Sequence, residues 1–196
     1  ATGEYGESKN PTVLFLSRIH PKKSIETLIS ATSILKTRGL EIRLMIAGTG
    51  ERDYGNLLQK QVEDLNLMTQ VQFLGMVVGD VKLSLYALAD VFALPTRQEN
   101  FGLVYPEAML CETPVITTKG TDIWRELESG GGAFIVDRTP EAFADAIEKL
   151  LSDDNARHEA GKSARTHMLE WLDTDNVAMQ YEEMYKAAST VHQPQT

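Results

Sequence analysis

Hydrophobic positions along the chain alternate between two periods. Short runs, more continuously apolar than alternating, occupy residues 13–16, 42–47, 71–74, 91–94, 115–118 and 133–136. Continuous runs rather than in–out alternation are expected of strands covered on both faces, as in a parallel sheet. Between them the spacing switches to three and four. Ile25, Leu28, Ile29, Thr32 and Leu35 form one stripe, stopped by Gly39. Val81, Leu85 and Leu88 form another after Asp80, which is placed to cap it. Phe143, Ile147, Leu150 and Leu151 follow Thr139-Pro140, a capping residue with proline at the first helical position.

This order predicts an α/β chain: a Rossmann-like, doubly wound parallel sheet of about six strands with extra C-terminal helices. No strand pattern follows Leu151. Residues 155–169 read as helix, and Val177, Tyr181, Met184, Tyr185 and Ala188 make a final stripe, part of which is expected to cover the same sheet. Residues 1–12, with two glycines and a proline, read as a linker or disordered end, 13–190 as one domain, and 191–196 as a disordered tail.

Charge narrows the function. Nineteen Lys and Arg stand against 28 Asp and Glu, a net charge of −9. That balance disfavours nucleic acid as a partner. The acidity sits in the second half; residues 1–100 carry 11 basic and 11 acidic groups, with a dense basic spot at Arg18, His20, Lys22 and Lys23. One cysteine, Cys111, precludes an internal disulfide and fits a reducing, cytoplasmic setting. The four histidines lack metal-ligand spacing with one another or with the cysteine.

In doubly wound sheets ligands bind beyond the carboxyl ends of the strands. Two segments there carry chemistry. After the first strand, SRIHPKKS places Arg18 and Lys23 around a turn, two cations suited to a diphosphate. After the fourth, TRQENFGLVYPEAM leads into a helix whose start Pro106 helps fix. The N–H groups of about Gly102 to Val104 are then left without helical partners. Glu99 and Glu107, separated by seven residues, could both face one cavity and accept hydrogen bonds from sugar hydroxyls; acids stabilising a helix N-terminus are the competing explanation. Gly48-Thr49-Gly50 lacks the third glycine of a dinucleotide fingerprint and reads as a tight turn. Asp173-Thr174-Asp175 reads as a helix cap, and Trp124 and Trp171 as packing residues.

Five segments in order resemble one family: SRIHPKKS, IAGTG, VQFLGMV, ADVFALPTRQENFGLVYPEAM and TPVITT. The chain resembles the C-terminal domain of a group 1 (family 4) retaining glycosyltransferase of the GT-B fold. The resemblance implies a donor-binding domain that serves transfer of a hexose-type unit from a nucleotide sugar to an acceptor hydroxyl, with no metal and no further cofactor. Arg18 and Lys23 would hold the diphosphate, and Glu99 the donor sugar. Phe101, Gly102, Leu103 and Val104 would offer backbone N–H groups. Glu107 would take the ribose hydroxyls, and Met76 and Val77 would sit against the base. A sugar or lipid acceptor would be held by an N-terminal domain missing here, leaving this half inactive alone. The family's last helix returns to that domain, so the stripe from Val177 to Tyr185 would be partly exposed here. The whole enzyme could associate with membranes through that domain. A non-catalytic nucleotide-binding module is the alternative. Two positions depart from the family pattern. Ser24 replaces a glycine, with small size kept, and Glu112 replaces a glycine that would matter if the site needs a positive φ.

Overall fold

The computed structural model describes residues 9–191, and side chains through residue 188. Six strands, β1 (Thr12–Leu16), β2 (Arg43–Ala47), β3 (Val71–Gly75), β4 (Val91–Leu94), β5 (Val115–Thr117) and β6 (Ala133–Ile135), form one parallel sheet. Their order is β3-β2-β1-β4-β5-β6, so the expected doubly wound α/β sheet is what forms. Every residue of β4 and β5 is buried, which is why those runs carry no polar alternation.

Among the described residues eight helices connect and flank the strands: α1 (Ile25–Thr37), α2 (Arg52–Asp64), α3 (Gly79–Leu88), α4 (Val104–Leu110), α5 (Trp124–Ser129), α6 (Pro140–Leu151), α7 (Asp154–Trp171) and α8 (Thr174–Val191). α1 packs against α2 and α6, and α4 packs against α3 and α7, giving two helical layers. In the core the rings of Tyr86, Phe92 and Tyr105 meet edge-on, with centroids 5.6 and 6.2 Å apart.

Local signals are realised unevenly. Thr139 caps α6 by accepting from the Ala142 N–H, and Asp173 accepts from the N–H groups of Asp175 and Asn176 as α8 begins. Gly39 ends α1 at φ +86°. Asp80, by contrast, caps nothing: α3 begins at Gly79 after Val78, and Asp80 lies in its first turn. Thr12 belongs to β1 rather than to a linker; it is buried and its N–H donates to Asp90 Oδ2 at 2.8 Å. Val191 closes α8, while residues 1–8 and 192–196 lie outside the described residues. α2 carries little apolar signal, since only Leu58 and Val62 are buried and Gly55 sits inside it.

The last stripe does not cover the sheet. Met179, Tyr181, Met184 and Tyr185 are all exposed, and α8 touches only α7 appreciably. Both faces of the sheet are already layered with helices, so α8 has no apolar surface of the sheet left to cover. Among the described residues no helix is long and apolar enough to cross a membrane.

Candidate functional site

The sheet order creates the site. From β1 the chain turns toward β2, and from β4 toward β5, so a crevice opens between their carboxyl ends. Loops on the β1 side are stitched edge to edge. Ser17 N–H donates to Ala47 O at 3.1 Å, Ile19 N–H to Thr49 O at 2.9 Å, and Gly48 N–H to Gly75 O at 2.7 Å. A Cβ on Gly48 would stand 1.9 Å from Ser17 O. That glycine therefore permits close backbone approach, and the GTG run is a tight turn. Above these loops lies a hollow of about 390 Å³. Arg18, Lys23, Met76, Val77, Glu99 and Val104 line it, with Leu16, Ser17, Gly48 and Thr49.

The basic loop is bent by its own backbone. His20 caps a short 3-10 turn (Pro21–Lys23), its Nδ1 accepting from the Lys22 N–H at 3.1 Å. Ser24 follows in the left-handed region at φ +50°. The glycine that the family favours there is thus a conformational requirement, and small size alone does not replace it; serine bears roughly 1–2 kcal/mol of strain. This bend sends Lys23 inward, where only 6% of it stays exposed and its ammonium pairs with the Glu99 carboxylate. Arg18 is exposed, and its guanidinium makes no ion pair or hydrogen bond among the described residues. Among the described residues the hollow therefore holds one neutralised pair and one free cation.

Neighbouring loops hold Glu99 in turn. Arg97 N–H donates to Lys22 O at 2.7 Å, and Thr118 Oγ1 to Thr96 O at 2.6 Å. Glu99 N–H donates to Gly120 O at 2.8 Å, and Asp122 N–H returns to Glu99 O at 2.9 Å. Underneath, the Tyr105 hydroxyl bonds Thr117 Oγ1 at 3.0 Å and Thr121 Oγ1 at 2.7 Å, and burial pushes its phenol pKa up. Gly102 sits at φ +67°, and a Cβ there would stand 2.6 Å from the Tyr105 ring. The N–H groups of Gly102, Leu103 and Val104 find no acceptor among the described residues. With α4 only seven residues long, those unbonded groups matter more than any macrodipole.

The sequence-predicted residues are not all brought to the hollow. Phe101, Gly102, Leu103 and Glu107 do not line it. The Phe101 ring turns aside to stack on Trp171, which makes Trp171 a packing residue as expected. Leu103 is 68% exposed. Glu107 lies one turn beyond Val104 on α4, hence on the same helical face as a lining residue. Its Oε1 accepts from Lys82 Nζ at 2.5 Å and its Oε2 from the Tyr86 hydroxyl at 3.0 Å. Burial, and then the Glu107 charge, raise the Tyr86 pKa and keep that phenol a neutral donor. Sequence reasoning missed Lys82 and Tyr86. Their only signal is a four-residue spacing on one helix, which puts them on a common face. Cys111 is half-buried and burial pushes its thiol pKa up, which lowers its thiolate fraction.

Comparison with known proteins identifies the family. The family described as "Glycosyl transferases group 1" matches residues 4–167. The chain is a group 1 glycosyltransferase domain. It is 33% identical over 178 residues to an uncharacterized glycosyltransferase of Methanocaldococcus jannaschii, covering 90% of this chain and 45% of that protein. It is 32% identical over 184 residues to a D-inositol 3-phosphate glycosyltransferase of Corynebacterium urealyticum, covering 90% and 43%. The chain thus spans less than half the length of these relatives. Among solved structures, Anabaena HepE in complex with UDP-glucose superposes with a TM-score of 0.79 at 26% identity, covering 91% of this chain and 49% of that one. The C-terminal domain of a Francisella tularensis group 1 glycosyltransferase shares the fold, with a TM-score of 0.73 at 22% identity over 84% of this chain and 88% of that one. The expected GT-B relationship stands.

Proposed function

We propose that this chain is the donor-binding half of a retaining glycosyltransferase that uses a nucleoside diphosphate sugar. The observation that carries this reading is the convergence of Arg18, Lys23 and Glu99 on one hollow at the point where the strand order reverses. Arg18 faces the diphosphate with a bidentate fork, and Lys23 adds a point charge beside it. Glu99, held by Lys23 and two backbone bonds, accepts hydroxyls of the donor sugar. Glu107, oriented by Lys82 and Tyr86, takes the ribose diol, and Met76 and Val77 lie against the base. Relatives and solved neighbours that act on or bind nucleotide sugars support this choice of ligand.

In the transfer, the bond from the sugar's anomeric carbon to the diphosphate oxygen breaks. A bond to the acceptor oxygen forms, and the acceptor's hydroxyl proton passes to the departing diphosphate oxygen. The nucleoside diphosphate departs with the bonding pair. Arg18, Lys23 and the free N–H groups at 102–104 stabilise the charge that develops on that leaving group, and on this reading they make a metal unnecessary. The anomeric configuration is retained. The acceptor, a sugar or a lipid, is bound by another domain, so this half alone transfers nothing.

Calorimetric titration of the chain with UDP, GDP and ADP tests the reading. At least one is expected to bind, and the matching nucleoside to bind more weakly. Failure of all three to bind refutes it. Sugar transfer by this chain alone would refute the division of labour.

A further inference from the structure

Behind the loop at 95–103 stands a column of three rings. Phe101 stacks on Trp171 with centroids 5.6 Å apart and planes inclined by 17°. Trp171 stacks on His167 at 6.2 Å and 9°. His167 Nε2 lies 2.7 Å from Glu126 O, so the column ends on α5. A Cβ at Gly130 would stand 2.4 Å from the His167 ring, which closes the other side. Trp171 is the last residue of α7 and His167 lies one turn before it.

What this column holds matters because little else does. Upstream, the loop is pinned through the backbone of Glu99. Downstream, the first bond is Tyr105 N–H to Gly102 O at 3.0 Å. Between them no N–H from residue 100 to 104 donates within the chain, among the described residues. Val104 packs on the core at the downstream end; between Glu99 and Val104 side-chain anchorage falls to the Phe101 ring, since Asn100 and Leu103 are exposed and Gly102 has no side chain. Unbonded backbone reaches a single conformation only when something else removes its freedom.

We propose that Trp171 is a positioning residue for nucleotide-sugar binding: by stacking on Phe101 it holds the unbonded N–H groups of Gly102, Leu103 and Val104 in the arrangement a diphosphate meets. The inference rests on the donor-binding reading for its ligand, but not for its effect on the loop. Trp171 touches no donor itself and acts only through Phe101.

The test compares wild type, Trp171→Ala and Trp171→Phe by two measurements. The first is backbone 15N relaxation at residues 101–103 without ligand. Trp171→Ala is expected to drop the order parameters from about 0.85 toward 0.6 or lower, and Trp171→Phe to restore them. The second is calorimetry with UDP, GDP and ADP. Trp171→Ala is expected to weaken the diphosphate by about three- to tenfold, the range of an aromatic stacking contact, with little change for the nucleoside. Trp171→Phe should recover that affinity. Unchanged order parameters in Trp171→Ala overturn the proposal, as does a loosened loop with undiminished diphosphate affinity, or a Phe variant as impaired as the Ala variant. If wild type binds no nucleoside diphosphate, the donor-binding reading has failed, and the relaxation data alone decide whether Trp171 holds the loop. Phe101→Leu, which keeps apolar bulk but removes the ring, replaces Trp171→Ala if that variant does not fold.

Discussion

Lys82 and Glu107 face each other across two helices, Nζ to Oε1 at 2.5 Å, 25 positions apart in the chain. The Tyr86 hydroxyl takes the other carboxylate oxygen. A carboxylate has about four acceptor sites, two on each oxygen. Lys82 and Tyr86 occupy one on each and fix the plane of the group. One remains on each oxygen, a pair that matches the two hydroxyls of a ribose. Removing Glu107 should therefore cost two charged hydrogen bonds at most. At about 1.5–3 kcal/mol for each bond, Glu107→Ala is expected to weaken the nucleoside diphosphate by at least about tenfold in calorimetry. A 2′,3′-dideoxy nucleoside diphosphate should bind wild type about as poorly as the ribonucleotide binds the variant. Equal affinity of wild type for the two nucleotides would rule out the ribose role.

The two cations of the hollow should behave differently when removed. Arg18 is exposed and has no partner among the described residues, so Arg18→Ala should leave thermal stability almost unchanged while weakening the diphosphate and sparing the nucleoside. Lys23 is buried against Glu99. Lys23→Met strands a half-buried carboxylate, and a loss of about 1–3 kcal/mol of stability is expected along with the affinity. Thermal melts run beside calorimetry separate the cases. A large drop in melting temperature for Arg18→Ala would contradict its placement.

The strands and the basic and acidic loops were legible because their signals are local: largely continuous apolar runs, a proline that fixes a helix start, cations beside a turn. What escaped depends on long-range placement. Lys82 meets Glu107 only because α3 lies beside α4, and no spacing in the chain encodes that. The Phe101 stack on Trp171 joins residues 70 apart in the same way. α2 is mostly polar and leaves too narrow a stripe to read. The stripe on α8 was legible, and the family resemblance implied its partial exposure; periodicity alone could not show that the sheet has no surface left for it. Ser24 was misjudged because side-chain size is visible in a sequence and backbone φ is not.

Two left-handed residues offer stability. Ser24 and Glu112 sit at φ +50° and +61°. Among the described residues the Glu112 carboxylate has a distant ion pair with Arg165, 3.9 Å and largely solvated, and a weak attraction to the exposed Lys162. Glu112→Gly should therefore gain about 1 kcal/mol, or roughly 2–4 °C in melting temperature. Ser24→Gly should gain less, because Ser24 Oγ accepts from Arg97 Nε at 3.3 Å and that bond is lost. Melting temperatures of the two variants check both sign and order; a Glu112→Gly variant less stable than wild type would contradict the strain argument.

Three phenols tie stability to alkaline pH. Tyr54, Tyr86 and Tyr105 all have pKa values raised above the ordinary 10, chiefly by burial. Tyr54 and Tyr86 are raised further by donating to Glu26 at 2.5 Å and to Glu107 at 3.0 Å. A group whose folded pKa is raised stabilises the fold fully below its unfolded pKa and loses that contribution progressively as pH rises from there through its folded pKa. Stability is therefore expected to be flat up to about pH 10 on this account and to fall above it. For Tyr86 and Tyr105 the fall is about 1.4 kcal/mol per pH unit each; Tyr54, more open to solvent, contributes less. Absorbance of phenolate at 295 nm, followed beside far-ultraviolet ellipticity, reads this directly. Tyr86 and Tyr105 should ionise only as the ellipticity collapses, and Tyr86→Phe should remove one phenolate from that late step. Ionisation of these phenols near pH 10, with the fold still intact, would show that the rings are not held as described.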